Sequence, residues 1–221
     1  MGVFSILPQE TDEKQPENSM SGSDMIQYKT RGGGRPVYGG ARAEKQRIRR
    51  EIQQISENLT REYRRRASSE ITRLVLSLPL WAQARTVMAY WSLPGEPDTR
   101  ELMETALREG KTLLLPRCLD AGKMTALPVE NLDGLEPGAL GIPEPPLTES
   151  GTAVPEPDLI LVPCVSAAPH GVRLGHGAGY YDRFLAEHSG KTVCLCFRAL
   201  IRADLPAEET DIPVDLVISD G

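Results

Sequence analysis

At 221 residues, with 40% hydrophobic and 25% charged side chains, the chain has the make-up of one folded domain plus a tail and is too apolar to be wholly disordered. A formal net charge of −6 opposes nonspecific binding to nucleic acid or anionic lipid, so any polyanion site must be local. No apolar run reaches the length of about 18 residues needed for a membrane span, and no basic-then-apolar leader opens the chain; a cytoplasmic monomer with no membrane partner is the expectation.

Residues 1–41 mix Gly, Ser, Pro, Glu and Lys without apolar periodicity and include Arg31-Gly32-Gly33-Gly34-Arg35-Pro36, the composition of a disordered or loosely attached tail. Residues 42–221 form the predicted α/β domain. It begins with Ile48, Ile52, Ile55 and Leu59, spaced to share one stripe of an amphipathic helix. After a cap signal at Ala67-Ser68-Ser69, a second stripe of Ile71, Leu74, Val75 and Leu78 runs to Pro79, giving two helices or one kinked helix.

Beyond Pro79 strand-like and helix-like runs alternate: strand 86–91, helix 99–109, strand 112–116, strand 159–163, helix 180–188, strand 192–197 and strand 216–218. That alternation predicts parallel strands joined by crossover helices. The fold class is therefore α/β, three-layered α/β/α with a mainly parallel, Rossmann-like central sheet and an N-terminal helical segment. Residues 132–156, rich in Pro, Gly and Glu, read as a long surface connection within that domain. The four cysteines, Cys118, Cys164, Cys194 and Cys196, lie in or beside apolar runs, which fits reduced thiols.

The chemistry concentrates in Arg173-Leu174-Gly175-His176-Gly177-Ala178-Gly179-Tyr180-Tyr181-Asp182, between a buried strand and a helix. Glycines at alternate positions let the backbone come close to a ligand and aim amides at phosphate oxygens, and the following helix adds its positive end. Arg173 brings a forked donor for phosphate, and Asp182 a hard oxygen ligand for magnesium. Neither the Walker pattern nor the spacing of the dinucleotide fingerprint is present. By itself a G-x-G-x-G stretch is more often a plain turn, and Asp182 is as readily a helix N-cap as a metal ligand.

This stretch resembles the RLG-x-G-x-GYYDR motif of the 5-formyltetrahydrofolate cyclo-ligases. The resemblance extends over residues 44–220: to Lys45-Gln46-Arg47-Ile48-Arg49, similar to that family's N-terminal K-x-x-L-R helix, and to 90–96, similar to its strand-loop ending in a folate-contacting glutamate, here Glu96. Met124 with the following strand, Gly141-Ile142-Pro143-Glu144-Pro145, and Thr210-Asp211-Ile212-Pro213-Val214-Asp215 follow in order. The chain departs from the family at Pro163-Cys164-Val165-Ser166-Ala167-Ala168, where an acidic residue is lost, and at Arg198-Ala199-Leu200, which replaces a usual glutamine.

The resemblance implies ATP- and magnesium-dependent closure of 5-formyltetrahydrofolate to 5,10-methenyltetrahydrofolate. On that reading Arg173 and Asp182 are catalytic, and Asp182 and Asp211 hold magnesium. Lys45 to Arg49 and the run from Arg173 to Tyr181 bind ATP, while Trp91, Glu96, Met124 and Tyr181 bind the reduced formylfolate. Without the family register, Trp91 reads more often as core and Glu96 as a solvated turn charge. His170, His176 and His188 read as loop or surface residues, none having a ligand partner at metal spacing.

Two other readings stand beside this one. The stretch 45–66 holds eight basic residues against three acidic ones, a pattern an RNA-binding helix can have, although it carries only Tyr63 as an aromatic. The departures at 163–168 suit a protein that binds nucleotide and folate without turning them over.

Overall fold

The computed structural model describes residues 27–29, 40–120, 122–138, 141–147 and 154–221. The tail expected over 1–41 falls mostly outside them, but Gln27–Lys29 forms strand β1. Helix α1 covers Ala41–Glu57 and α2 Arg61–Leu76. The expected boundary at Ala67-Ser68-Ser69 is displaced to Thr60, whose side chain accepts a hydrogen bond from the Tyr63 amide at 3.1 Å and so satisfies one of the free amides of the first turn. Ser68 is instead buried inside α2 and accepts from the Asp98 amide at 3.0 Å. Pro79 does not close a helix. It opens α3, Pro79–Gln83, at the position where its missing N–H costs nothing.

Strand β2 (Thr86–Met88) leads through α4 (Arg100–Arg108) to β3 (Thr112–Asp120), which turns into β4 (Lys123–Val129). The connection then carries β5 (Glu136–Pro137) and β6 (Pro143–Glu144), followed by β7 (Leu159–Val162), β8 (Ser166–Ala167), β9 (Arg173–Leu174), α5 (Tyr180–Glu187), β10 (Lys191–Leu195) and β11 (Leu216–Ile218). The expectation that 132–156 is all surface needs correcting. Glu144 is buried and its carboxylate accepts from the Cys118 amide at 3.2 Å, pinning the connection against β3.

The main sheet runs β1-β11-β10-β7-β2-β3-β4. The five inner strands are parallel to one another, and β1 and β4 are antiparallel edges. All four positions of β7 are buried; since successive side chains point to opposite faces, both faces of the sheet are covered there. The chain leaves β2 toward β3 on one side and returns to β7 on the other. That reversal opens a crevice at the carboxyl ends of β2 and β7, where doubly wound sheets bind ligands. The loop after β2 and the β8–β9 hairpin with its glycine run both lead out of it.

On α1 the buried face is Ala41, Lys45, Ile48, Ile52 and Ser56, while Ile55 is 42% exposed. The stripe therefore continues through Ser56 rather than Ile55, because position 56 meets the loop after β2: Ser56 Oγ lies 3.4 Å from where a Cβ on Gly95 would stand.

Candidate active site

The loop after β2 closes on itself. The Glu96 amide donates to the Leu93 carbonyl at 2.9 Å, and the Leu93 amide donates to Glu96 Oε2 at 2.9 Å. Arg64 on α2 holds the outside of this turn through the Pro94 carbonyl at 2.5 Å. The Glu96 side chain is consequently only 3% exposed, which is incompatible with a solvated turn charge. Its second oxygen, Oε1, lies 3.0 Å from His176 Nε2. A buried carboxylate with one oxygen fixed and the other aimed outward is built to receive donors.

Two phenols stand in the field of that carboxylate. The hydroxyls of Tyr90 and Tyr181 are buried without a hydrogen-bond partner among the described residues. Burial first and then the Glu96 charge push both well above the ordinary tyrosine range, which favours the neutral, donating hydroxyl. Buried hydroxyls are normally paired, and an unpaired couple beside a carboxylate marks a place for a polar ligand. Tyr90 was not among the residues expected from the sequence; its strand-end position gave no sign that its hydroxyl is orphaned.

Beside Glu96 a cleft of about 700 Å³ is lined by Arg64, Ser68, Trp91, Leu93, Glu96 and Arg100, among others. Trp91 packs against the core on one side and carries the Arg100 guanidinium 5.8 Å from its ring centre on the other, so it serves core and cleft at once. Met124 lies on β4, half-buried against the core.

The glycine run forms the other half. Gly177 (φ 103°) and Gly179 (φ 71°) have left-handed backbones, which L side chains rarely adopt; Gly175 does not need one. Gly179 caps α5 and Asp182 sits inside its first turn, so Asp182 is not the helix cap. Asp182 Oδ1 instead accepts from Arg173 at 2.9 Å and from the Ile212 amide at 3.0 Å. The described bonds of Asp182 all fall on Oδ1. Arg173, with a side chain 4% exposed, also donates to the Ile212 carbonyl. Leu174 is buried in the core and can offer a ligand only its backbone.

Helix α1 closes the site from the third side. Arg49 Nε donates to the Gly175 carbonyl at 2.7 Å, and its guanidinium lies over Gly177. Burial lowers the pKa of this guanidinium from its ordinary value. Lys45 Nζ meets Glu208 at 2.7 Å and both oxygens of Asp211 at 2.8 and 2.6 Å. The other members of the Lys45–Arg49 run do not reach this side. Ile48 is fully buried in the core, Gln46 is exposed, and Arg47 pairs with Glu44 and Glu51 on the outer surface. A helix cannot turn five consecutive residues to one ligand.

For a divalent cation the donors are therefore unequal. Asp182 keeps one oxygen outside the bonds described, whereas Asp211 is fully occupied by Lys45 and the Glu208 amide, which donates to it at 2.7 Å. Among the described residues no three His, Cys, Asp or Glu gather as a metal cage. Magnesium needs none, since it sits on one or two carboxylates and takes its remaining ligands from phosphates and water.

The sequence departures have structural roles. Ser166 and Ala167 pair with Leu174 and Arg173 as the β8–β9 ladder, and Ser166 Oγ donates to the Leu200 carbonyl. The Arg198 amide donates to Asp220 at 2.8 Å. Of the basic residues weighed as an RNA surface, Arg64 is spent on backbone carbonyls and Arg47 on glutamates.

A model of the 5-formyltetrahydrofolate cyclo-ligase family matches residues 41–220. The probable 5-formyltetrahydrofolate cyclo-ligase of Caenorhabditis elegans is 30% identical over 191 residues, 80% of this chain and 93% of that protein. The solved structure of the Aquifex aeolicus 5,10-methenyltetrahydrofolate synthetase is 34% identical and superposes with a TM-score of 0.69, over 79% of this chain and 88% of that one. The Mycoplasma pneumoniae 5,10-methenyltetrahydrofolate synthetase, 20% identical, shares the fold with a TM-score of 0.64 over 80% and 99% of the two chains.

Proposed function

The chain belongs to the 5-formyltetrahydrofolate cyclo-ligase family, and on that premise we propose that it is an ATP- and magnesium-dependent ligase closing 5-formyltetrahydrofolate to 5,10-methenyltetrahydrofolate. The observation that carries the reading is the meeting of the glycine loop and Glu96 at the carboxyl ends of β2 and β7. One half of the crevice suits phosphates and the other suits a heterocycle rich in N–H donors.

A formamide oxygen is a poor leaving group. Its attack on the γ-phosphorus of ATP releases ADP and leaves an iminium-like phosphate; the N10 amine then attacks the formyl carbon, inorganic phosphate departs with the former formyl oxygen, and N10 gives up its proton. Phosphoryl transfer asks chiefly for positioning and charge neutralisation. The amides of residues 175–179, Arg173 and Arg49 supply both. Lys45 joins them as its contacts with Glu208 and Asp211 are exchanged for phosphate. Bound magnesium would screen the phosphate charge, and Asp182, through the oxygen outside its present bonds, is the residue to hold it. Asp211 would be a second residue to hold it once Lys45 turns to phosphate.

Glu96 receives the amino and ring N–H groups of the pterin, with Tyr90 and Tyr181 hydroxyls as further partners, and Trp91 or Tyr181 offers a ring face. Burial keeps this end dry, which strengthens the carboxylate's bonds. Incubation of the purified protein with 5-formyltetrahydrofolate, ATP and magnesium tests the reading. The methenyl chromophore should appear and require all three. Binding of ATP and folate without the chromophore would leave a binding protein only.

A further inference from the structure

We propose that His176 is a positioning residue that latches the glycine loop to Glu96, so that a nucleotide on the loop frees the carboxylate for folate. The inference rests on the folate and nucleotide assignments above and deepens them by coupling the two sites.

Three observations lead there. First, Glu96 has one oxygen committed inside its own turn, to the Leu93 amide, and the other to His176. A pterin seeking two-point contact with this carboxylate must therefore displace the imidazole. Second, the two partners are unequal: the Glu96 side chain is 3% exposed and His176 is 56% exposed. The carboxylate is a fixed post and the imidazole a movable hook. Third, His176 stands between Gly175 and Gly177, which lack the side chains that would restrict it, and a Cβ at Gly175 would meet nothing within 4 Å.

The loop is tied on its other side as well, through the Gly175 carbonyl to Arg49. Phosphates settling on the loop amides recruit Arg49 from the Gly175 carbonyl, so the loop shifts and the imidazole leaves Glu96. In the free protein the hook thus lowers folate affinity, and nucleotide restores it. Since coupling between two ligands is reciprocal, folate that takes Glu96 raises nucleotide affinity by the same factor. The order of events follows: a folate bound before ATP has to break the latch alone.

Replacement by alanine removes the hook and keeps the backbone amide of the loop, and glutamine keeps an N–H donor of similar reach. Calorimetry with 5-formyltetrahydrofolate, with and without a non-hydrolysable ATP analogue, separates the cases. In the wild type the analogue should tighten folate binding by about three- to tenfold. His176→Ala should bind folate that much more tightly without the analogue and show no further gain with it, while His176→Gln retains most of the coupling. Weaker or unchanged folate binding by His176→Ala, or coupling that survives in it, overturns the latch.

A second measurement needs no ligand. Hydrogen exchange of the 175–179 amides should quicken by about threefold or more in His176→Ala and stay near the wild-type rate in His176→Gln, and unchanged exchange in His176→Ala overturns the latch independently. Failure of the wild type to bind any folate would instead overturn the functional reading, leaving the latch to be judged by exchange alone.

Discussion

The two ends of the parallel sheet use the same residue types for opposite purposes. At the amino ends, Asp158 takes the amides of Arg85 and Thr86 at 2.8 and 2.9 Å, Asp215 takes the Thr192 amide and hydroxyl, each at 2.9 Å, and Lys111 caps the carbonyls of Trp81 and Ala84. Each charge there answers a backbone group left open where a strand or helix stops. At the carboxyl ends the side chains also answer one another: Arg173 pairs with Asp182, Lys45 with Asp211 and Glu208, and His176 hydrogen-bonds Glu96. Two phenols there have no described partner. A charge bound to backbone is used up by the fold, whereas charges that neutralise each other across a crevice can exchange partners when a ligand arrives. The amino end should therefore matter to stability and the carboxyl end to turnover.

The largest effect expected from this contrast is at Asp182. Asparagine keeps an oxygen for Arg173 and the Ile212 amide but loses the charge that would hold magnesium. Asp182→Asn should fold normally and turn over at least about a hundredfold more slowly. An active variant with unchanged magnesium dependence would remove Asp182 from the site. Glu96 comes next. Glu96→Gln retains size and an acceptor but loses charge assistance, and folate binding in calorimetry should weaken by about 1.5 to 3 kcal/mol. Unaltered affinity would return Glu96 to a structural role in its turn.

At the amino end the same experiment should read the other way. Asp158→Ala should leave kcat/KM within about twofold while lowering stability by about 1 kcal/mol, the low end for bonds to a charge because this carboxylate is open to solvent. The bonds from Thr86 and Arg85 hold its pKa below the ordinary aspartate value. A carboxyl with a depressed folded-state pKa contributes its stability above the ordinary pKa of about 3.9 and loses it as pH falls through the depressed value. The variant and the wild type should accordingly differ in melting temperature at neutral pH and converge in acid. A variant that loses turnover without losing stability would break the division between the ends.

What the sequence disclosed follows the same division. Strands 159–162, 191–195 and 216–218 were legible because strands buried on both faces read as unbroken apolar runs. β4 is the counter-example: its side chains are mostly exposed or half-buried and its sequence is mixed, so only its pairing with β3 makes it a strand. The two-residue strands β8 and β9 exist through each other and have no pattern of their own. The glycine run was visible because all its parts are local. The contacts that complete the site join residues 80 positions apart, as in Glu96 with His176, or 166 apart, as in Lys45 with Asp211. No periodicity encodes such pairs, so neither the contact of the exposed His176 with Glu96 nor that of Lys45 with Asp211 could be read in advance.

The smallest effect on turnover is expected from removing residues 1–39. Gly40 should be spared, because its carbonyl accepts from the Ala43 and Glu44 amides at 3.1 and 3.3 Å and starts α1. Within the deleted stretch, Gln27–Lys29 pairs antiparallel with Leu216–Ile218. That pairing lies at the outer edge of the sheet, with β11, β10 and β7 between it and β2. Strand β11 keeps its parallel ladder to β10 when β1 is gone, so the crevice and its charges stay where they are and kcat/KM should remain within about twofold. The loss appears elsewhere. An uncovered strand edge of Leu216, Val217 and Ile218 presents open amides and carbonyls to other chains, so size-exclusion chromatography should show the shortened protein associating as its concentration rises. A well-folded deletion variant with less than about a tenth of the activity would mean that residues ahead of α1 act in the crevice, and that the sheet edge and the site are not the separate regions this contrast requires.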